Sequence, residues 1–357
     1  MRILYLSELN PNGKYGGALV EKRNLKILSQ NYDIEKVSIY ANGRNFISKV
    51  WDLIFSKVPT LYSRSQVKKI CHMIKNSEAT FLFLETSKMG YFAKVAKKYN
   101  KIVVTFLHNC EVVLYGSSRG RIFVPFIKKQ EKLTVYHSDF LIYLNERDKS
   151  VFNRIYPVTK NIQSEVLPIT FEDIVTKEKI VRLQNKKRSN RGLFFGSNFP
   201  PNYNGINWFS IHVAPYIDCE IDVVGLNFDN CSELARKNVH VIGTVDKIEE
   251  WIMNADFVVF PIFEGSGMKV KTCEALMYGK KIFASNEACE GYILNGAIDI
   301  CNTAEEFINS INSFIHNYSL PIYNEKARNL FLSHYSDNMF EEKLISIFDR
   351  LMLKEIS

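Results

Sequence analysis

The chain has 357 residues, of which 46% are hydrophobic and 24% charged, with a formal net charge of +8. Single cores stop growing near roughly 250–300 residues, so two domains are expected, and this composition excludes disordered and fibrous classes. The seven scattered cysteines form no Cys-x-x-Cys pair, which argues against both a zinc site and a disulfide framework. No apolar run approaches the ~18–20 residues of a membrane-spanning helix. At the start, "MRILYLSELN" offers only Ile3 to Leu6, short of the ~7–15 residues of a signal-peptide core. A cytoplasmic protein is expected.

The charge is unevenly spread. Residues 1–170 carry 27 Lys+Arg against 13 Asp+Glu, residues 171–190 carry 6 against 3, and residues 191–357 carry 13 against 22. A basic first half joined to an acidic second half suggests that one domain faces an anionic partner.

In chain order, strand candidates fall at 3–7, 34–40, 79–85, 101–107 and 139–145, with amphipathic stretches between them. The pattern returns at 192–197, 220–225, 239–243, 257–262, 280–285 and 297–301. Strands alternating with helices predict an α/β chain of two tandem Rossmann-like domains. The expected division is a first domain over 1–170, a charged linker over 171–190, a second domain over 191–335, and a helix over 336–357 that packs across the junction.

Between the first strand and the first helix lies "ELNPNGKYGGALVEKRN", a loop longer than the ~2–6 residues usual for a βα connection. Gly16 and Gly17 open the helix and permit close approach to a ligand. Further on, "TFLHNCE" ends a strand with His108, Asn109 and Glu111. Two basic stretches, 44–75 and 117–133, interleave Lys and Arg with Trp51, Phe55, Phe123 and Phe126, as interfacial helices do. They suggest docking on an anionic membrane surface. The acidic second half and the absence of a recognised motif argue against nucleic acid.

The richest stretch is "PIFEGSGMKVKTCEALMYGKKIFAS", Pro261 to Ser285. A buried strand, a glycine turn and a helix closed by Gly279 place free backbone N–H groups at the carboxyl end of a parallel sheet, an anion site. Val270, Cys273 and Met277 share one helix face and are expected on the sheet; Lys271, Glu274 and Tyr278 share another. Glu274 is placed to accept both hydroxyl hydrogens of a ribose, with Lys269 and Lys271 offsetting diphosphate charge. The competing reading is a solvated Lys271–Glu274 pair worth a few tenths of a kcal/mol.

Together "FFGSNFPPNYNGINWF", "VVG", the run from Val239 to Ser285 and "EACEG" resemble the donor-binding half of GT-B-fold retaining glycosyltransferases of the family-4-like group, the glycosyl transferases group 1. The resemblance implies two Rossmann-like domains with a cleft between them and C-terminal helices. It implies donor contacts from Gly265, Ser266, Gly267, Met268, Glu274, Glu290 and Gly291, a cleft role for Gly16 and Gly17, and catalytic roles for His108, Lys269 and Lys271. Ser266 stands where many relatives carry a second glutamate. Transfer from a UDP- or GDP-linked sugar, with retention and without cofactor or metal, is implied, in bacterial-type surface polysaccharide or glycoconjugate assembly. The acceptor would be lipid-linked, with the enzyme peripheral on the cytoplasmic face of the membrane. The alternatives are a nucleotide-sugar epimerase of the same fold, or a catalytically idle relative that binds a partner.

Overall fold

The computed structural model describes residues 1–8, 16–39, 62–116, 121–265, 267–294 and 296–356. The chain divides into two compact units, Met1–Pro168 with Glu341–Ser357, and Ile169–Phe340.

The first unit is built on six parallel strands: β1 (Arg2–Ser7), β2 (Asp33–Ser38), β3 (Phe81–Leu84), β4 (Ile102–Leu107), β5 (Phe140–Tyr143) and β6 (Gln163–Val166). Their order is β2-β1-β3-β4-β5-β6. "FLFL", "IVVTFL" and "FLIY" are buried at every position, as strands covered by helices on both faces must be. The flanking helix Arg64–Asn76 starts with a capping box between Ser63 and Gln66 and buries Val67, Ile70 and Ile74. Helix Gly90–Lys97 approaches Val124–His137 so closely that a Cβ on Gly90 would lie 2.1 Å from the Gln130 carbonyl oxygen. From the last helix, Asp337–Ile356, Phe348 packs edge-on against Phe81 at 5.0 Å and Arg350 pairs with Glu165.

The second unit repeats the design with β7 (Arg191–Phe195), β8 (Glu220–Val224), β9 (Val239–Gly243), β10 (Phe257–Phe260), β11 (Lys281–Ala284) and β12 (Ile298–Ile300). The order is β12-β11-β10-β7-β8-β9, again all parallel. Residues 171–190 lie in this unit and contain a helix, Lys177–Gln184. Arg328 holds Asp173, the Ser189 N–H donates to Asp256 Oδ2 at 2.7 Å, and Lys186 pairs with the same Asp256. All seven cysteines are free.

The eleven expected strands are present, and β6 is added to them. Its sequence, "QSEV", lies at a sheet edge with its residues exposed or half-exposed. An edge strand with one open face needs no apolar run, so periodicity carries no signal for it.

Each strand order reverses once. In the first sheet the reversal lies between β1 and β3, and in the second between β7 and β10. Ligands of open α/β sheets bind beyond the carboxyl ends of the strands at such a switch point.

Candidate functional site

In the second unit the switch point is occupied by the turn after β10 and the helix Val270–Met277. Gly265 and Gly267 take φ of 137° and 65°, conformations that side-chain-bearing residues rarely adopt. The turn is stapled by the segment after β11. Tyr292 donates to the Lys269 carbonyl at 2.8 Å, Thr272 to the Ala288 carbonyl at 2.8 Å, and the Lys269 ammonium reaches Glu287 at 2.7 Å. Glu287 therefore holds Lys269. Glu290, half-buried, and Gly291, at φ 81°, end the short helical turn Glu287–Cys289.

Lys271 and Glu274 lie one turn apart, but not as a solvated pair. The Lys271 ammonium turns inward, donates to Asn202 Oδ1 at 2.7 Å, and lies over the rings of Phe194 in β7 and Phe260 in β10, at 4.7 and 5.7 Å. A Cβ on Gly196, just past β7, would sit 2.6 Å from it. Burial lowers the Lys271 pKa to about 7, against the opposing pull of Glu274. Glu274 is raised to about 7, again by burial, partly offset by Lys271. Its carboxylate has no hydrogen bond or ion pair among the described residues.

The helix is more enclosed than its expected two faces allow. Tyr278 is buried, and Val270 is only half-buried. The reason is the segment 325–335, which covers the outer side: Arg328 donates to the Met277 carbonyl at 2.7 Å and the Cys273 thiol faces the Tyr335 carbonyl. Gly279 caps the helix at φ 58°. Met268 is buried, and its sulfur accepts the Ile169 N–H at 3.5 Å. Ser266 lies outside the described residues, and Glu264 accepts a hydrogen bond from Asn204 at 2.7 Å.

In the first unit the carboxyl ends of β1, β3 and β4 gather a buried polar network. Glu85, directly after β3, accepts from the Tyr5 hydroxyl at 2.5 Å and the Asn24 amide at 2.9 Å on Oε1, and faces His108 Nε2 at 2.8 Å on Oε2. The other His108 nitrogen, Nδ1, is buried without a partner among the described residues, as is Glu21 Oε2, whose other oxygen holds the Ser7 hydroxyl. Burial raises the Glu21 pKa. Beside this network Lys88 pairs with Glu8 and lies 3.9 Å from Glu111. Gly16 and Gly17 form the first turn of the helix Gly16–Asn31; the loop before it, 9–15, lies outside the described residues.

Glu85 and Tyr5 lie in no motif, and Asn24 and Asn202 lie in quoted stretches that single neither of them out. Their signal is topological. Each lies within or just beyond the carboxyl half of a switch-point strand or on the helix that follows one.

Residues 189–317 match the family described as Glycosyl transferases group 1. No curated protein matches the chain in sequence. Among solved structures, HepE of Anabaena in complex with UDP aligns with TM-score 0.68 and 14% identity, covering 98% of this chain and 100% of that one. Sucrose-phosphate synthase from Thermosynechococcus elongatus aligns with TM-score 0.71 and 12% identity over 99% and 100%. The lipopolysaccharide outer core galactosyltransferase WaaB aligns with 0.64 and 12% over 98% and 100%. With a group 1 glycosyl transferase segment at its second switch point and the two-sheet GT-B fold over its length, the chain is a glycosyltransferase.

Proposed function

We propose that the enzyme takes its sugar from a uridine-diphosphate donor bound at the second unit's switch point, and transfers it with retention to a lipid-linked acceptor at an anionic membrane surface. The observation that carries the donor assignment is Glu274, a half-buried carboxylate with no hydrogen-bond partner among the described residues, one turn inside a helix that opens on a glycine turn. Burial already raises its pKa to about 7, and a ribose diol would supply two donors to the charged form. Lys271, the N–H groups of residues 267–269 and the helix dipole would stabilise charge on the departing diphosphate. Lys269 adds its charge while tethered to Glu287. HepE, of similar fold, was crystallised with UDP, with UDP and glucose, and with UDP-glucose.

The membrane part rests on a surface of the first unit. Val113, Leu114 and Ile122 are exposed, the last at 69%, on segments packed beside the helix carrying exposed Lys128, Lys129 and Lys132. Phe123 and Phe126 are half-buried, whereas Trp51 and Phe55 lie outside the described residues. Each basic residue near an anionic leaflet contributes about 1 kcal/mol. Among the described residues no helix is long and apolar enough to cross a membrane.

The test is a panel of UDP- and GDP-sugars incubated with the enzyme, with and without a lipid-phosphate acceptor, reading nucleotide release and sugar identity. Acceptor-dependent release of UDP is expected. Interconversion of the sugar without release would identify an epimerase, and no binding of any nucleotide would leave the site idle. Cosedimentation with vesicles containing anionic lipid tests the docking surface: binding should fall with salt and with Lys128→Glu/Lys129→Glu, and indifference to both would refute it.

A further inference from the structure

We infer that Glu85 is the positioning residue of His108: it fixes the imidazole with its Nε2 proton turned inward, so that Nδ1 is the atom presented to a sugar hydroxyl of the substrate. The inference deepens the sugar-transfer reading and rests on it for the identity of the ligand, but not for the state of the ring.

The assignment follows from counting donors. The Asn24 amide cannot be turned over, because Arg23 Nε and Nη2 both donate to its Oδ1, at 3.1 and 2.7 Å. Its nitrogen therefore donates to Glu85 Oε1. Burial, and then the neighbouring Glu85, hold the Tyr5 phenol protonated well above its usual range, so it too donates to Oε1. Both lone pairs of Oε1 are used. Oε2 is left as the acceptor for His108 Nε2, so that nitrogen carries the proton. The ring face is held as well, with Phe106 at 5.0 Å between centroids and Arg23 over the same phenyl ring at 5.8 Å. What remains of the imidazole is Nδ1, buried at the carboxyl end of β4 and unpartnered among the described residues. A buried ring nitrogen without a partner is an exception to be explained. A ligand hydroxyl explains it.

The substitution Glu85→Gln gives a sharp test, because the amide must keep its oxygen where Tyr5 and Asn24 both donate. Its NH₂ then faces His108 Nε2 and forces that nitrogen to accept. In the ¹⁵N-histidine-labelled full chain at pH 8, long-range ¹H–¹⁵N spectra should show His108 as the Nε2–H tautomer in the wild type and as the Nδ1–H tautomer in Glu85→Gln. With UDP-glucose as the probe, UDP release should lose roughly 10- to 100-fold in kcat while KM stays within about threefold, the range for a buried polar contact left mismatched in the transition state. The double variant with His108→Ala should be no slower than His108→Ala alone. An Nδ1–H tautomer in the wild type, an unchanged tautomer in Glu85→Gln, or losses that multiply in the double variant would overturn the inference. If UDP-glucose does not bind, the donor reading fails, while the spectra of the unliganded protein still decide the role of Glu85.

Discussion

At the first switch point the carboxylate, Glu85, faces three hydrogen-bonding groups; at the second, Glu274 accepts none from the described residues. Both sit where open parallel sheets bind ligands. The difference separates two uses of a buried charge. Glu85 is satisfied by the protein and sets the geometry of another group, whereas Glu274 and the inward-turned Lys271 are kept by burial at the edge of ionisation until a ligand completes them. A satisfied carboxylate lost to mutation damages the protein's own arrangement; an unsatisfied one lost to mutation damages binding and leaves the fold intact.

The comparison breaks most severely at the glycines that make room for the second site. A Cβ on Gly225, at φ 148°, would lie 1.7 Å from the Gly196 carbonyl oxygen. Gly225→Ala should therefore cost roughly 3 kcal/mol of stability, among the larger effects of a single substitution. A thermal denaturation midpoint unchanged from wild type would mean that this close approach is not needed.

Next in size is Lys271→Met, which should weaken UDP by roughly 2 kcal/mol, within the range for hydrogen bonds to charged groups, and uridine much less. Equal losses for both would remove the ammonium from the diphosphate site.

A smaller effect, and a sharper one, is the pH dependence. Lys271, lowered to about 7, loses its charge as pH rises through that value, so its help to a diphosphate fades. Glu274, raised to about 7, gains its charge over the same range, so its hold on a ribose improves. The ratio of UDP-glucose to uridine affinity should therefore fall between pH 6 and pH 8.5, and Lys271→Met should flatten it. A ratio that rises with pH in titration calorimetry would reverse the assigned roles. The smallest expected effect is that of metal removal: with lysine and helix dipole supplying positive charge, activity should survive EDTA, and restoration by Mg²⁺ after loss would contradict this.

Much of the fold was legible because buried parallel strands announce themselves. "FLFL", "IVVTFL" and "FVVF" are continuous apolar runs, whereas the polar edge strand β6 carried no such mark. The glycine turn and Glu274 were legible as a motif. The direction of Lys271 was not, since it depends on Asn202, 69 positions away in sequence, and on the space left by Gly196. Glu85 was hidden for the same reason: its partners Tyr5, Asn24 and His108 meet only once β1, β3 and β4 lie side by side. Periodicity reports which face a residue occupies and is silent about which distant residue it meets there.

The central claim is that Glu274 waits for a ribose. Titration calorimetry of UDP into Glu274→Gln, beside a melting curve of the unliganded protein, tests it most directly. The account predicts a loss of roughly 1.5–3 kcal/mol in UDP binding, the range for hydrogen bonds to a charged group, with a melting temperature equal to or above that of the wild type. UDP affinity unchanged in a folded Glu274→Gln protein would contradict it.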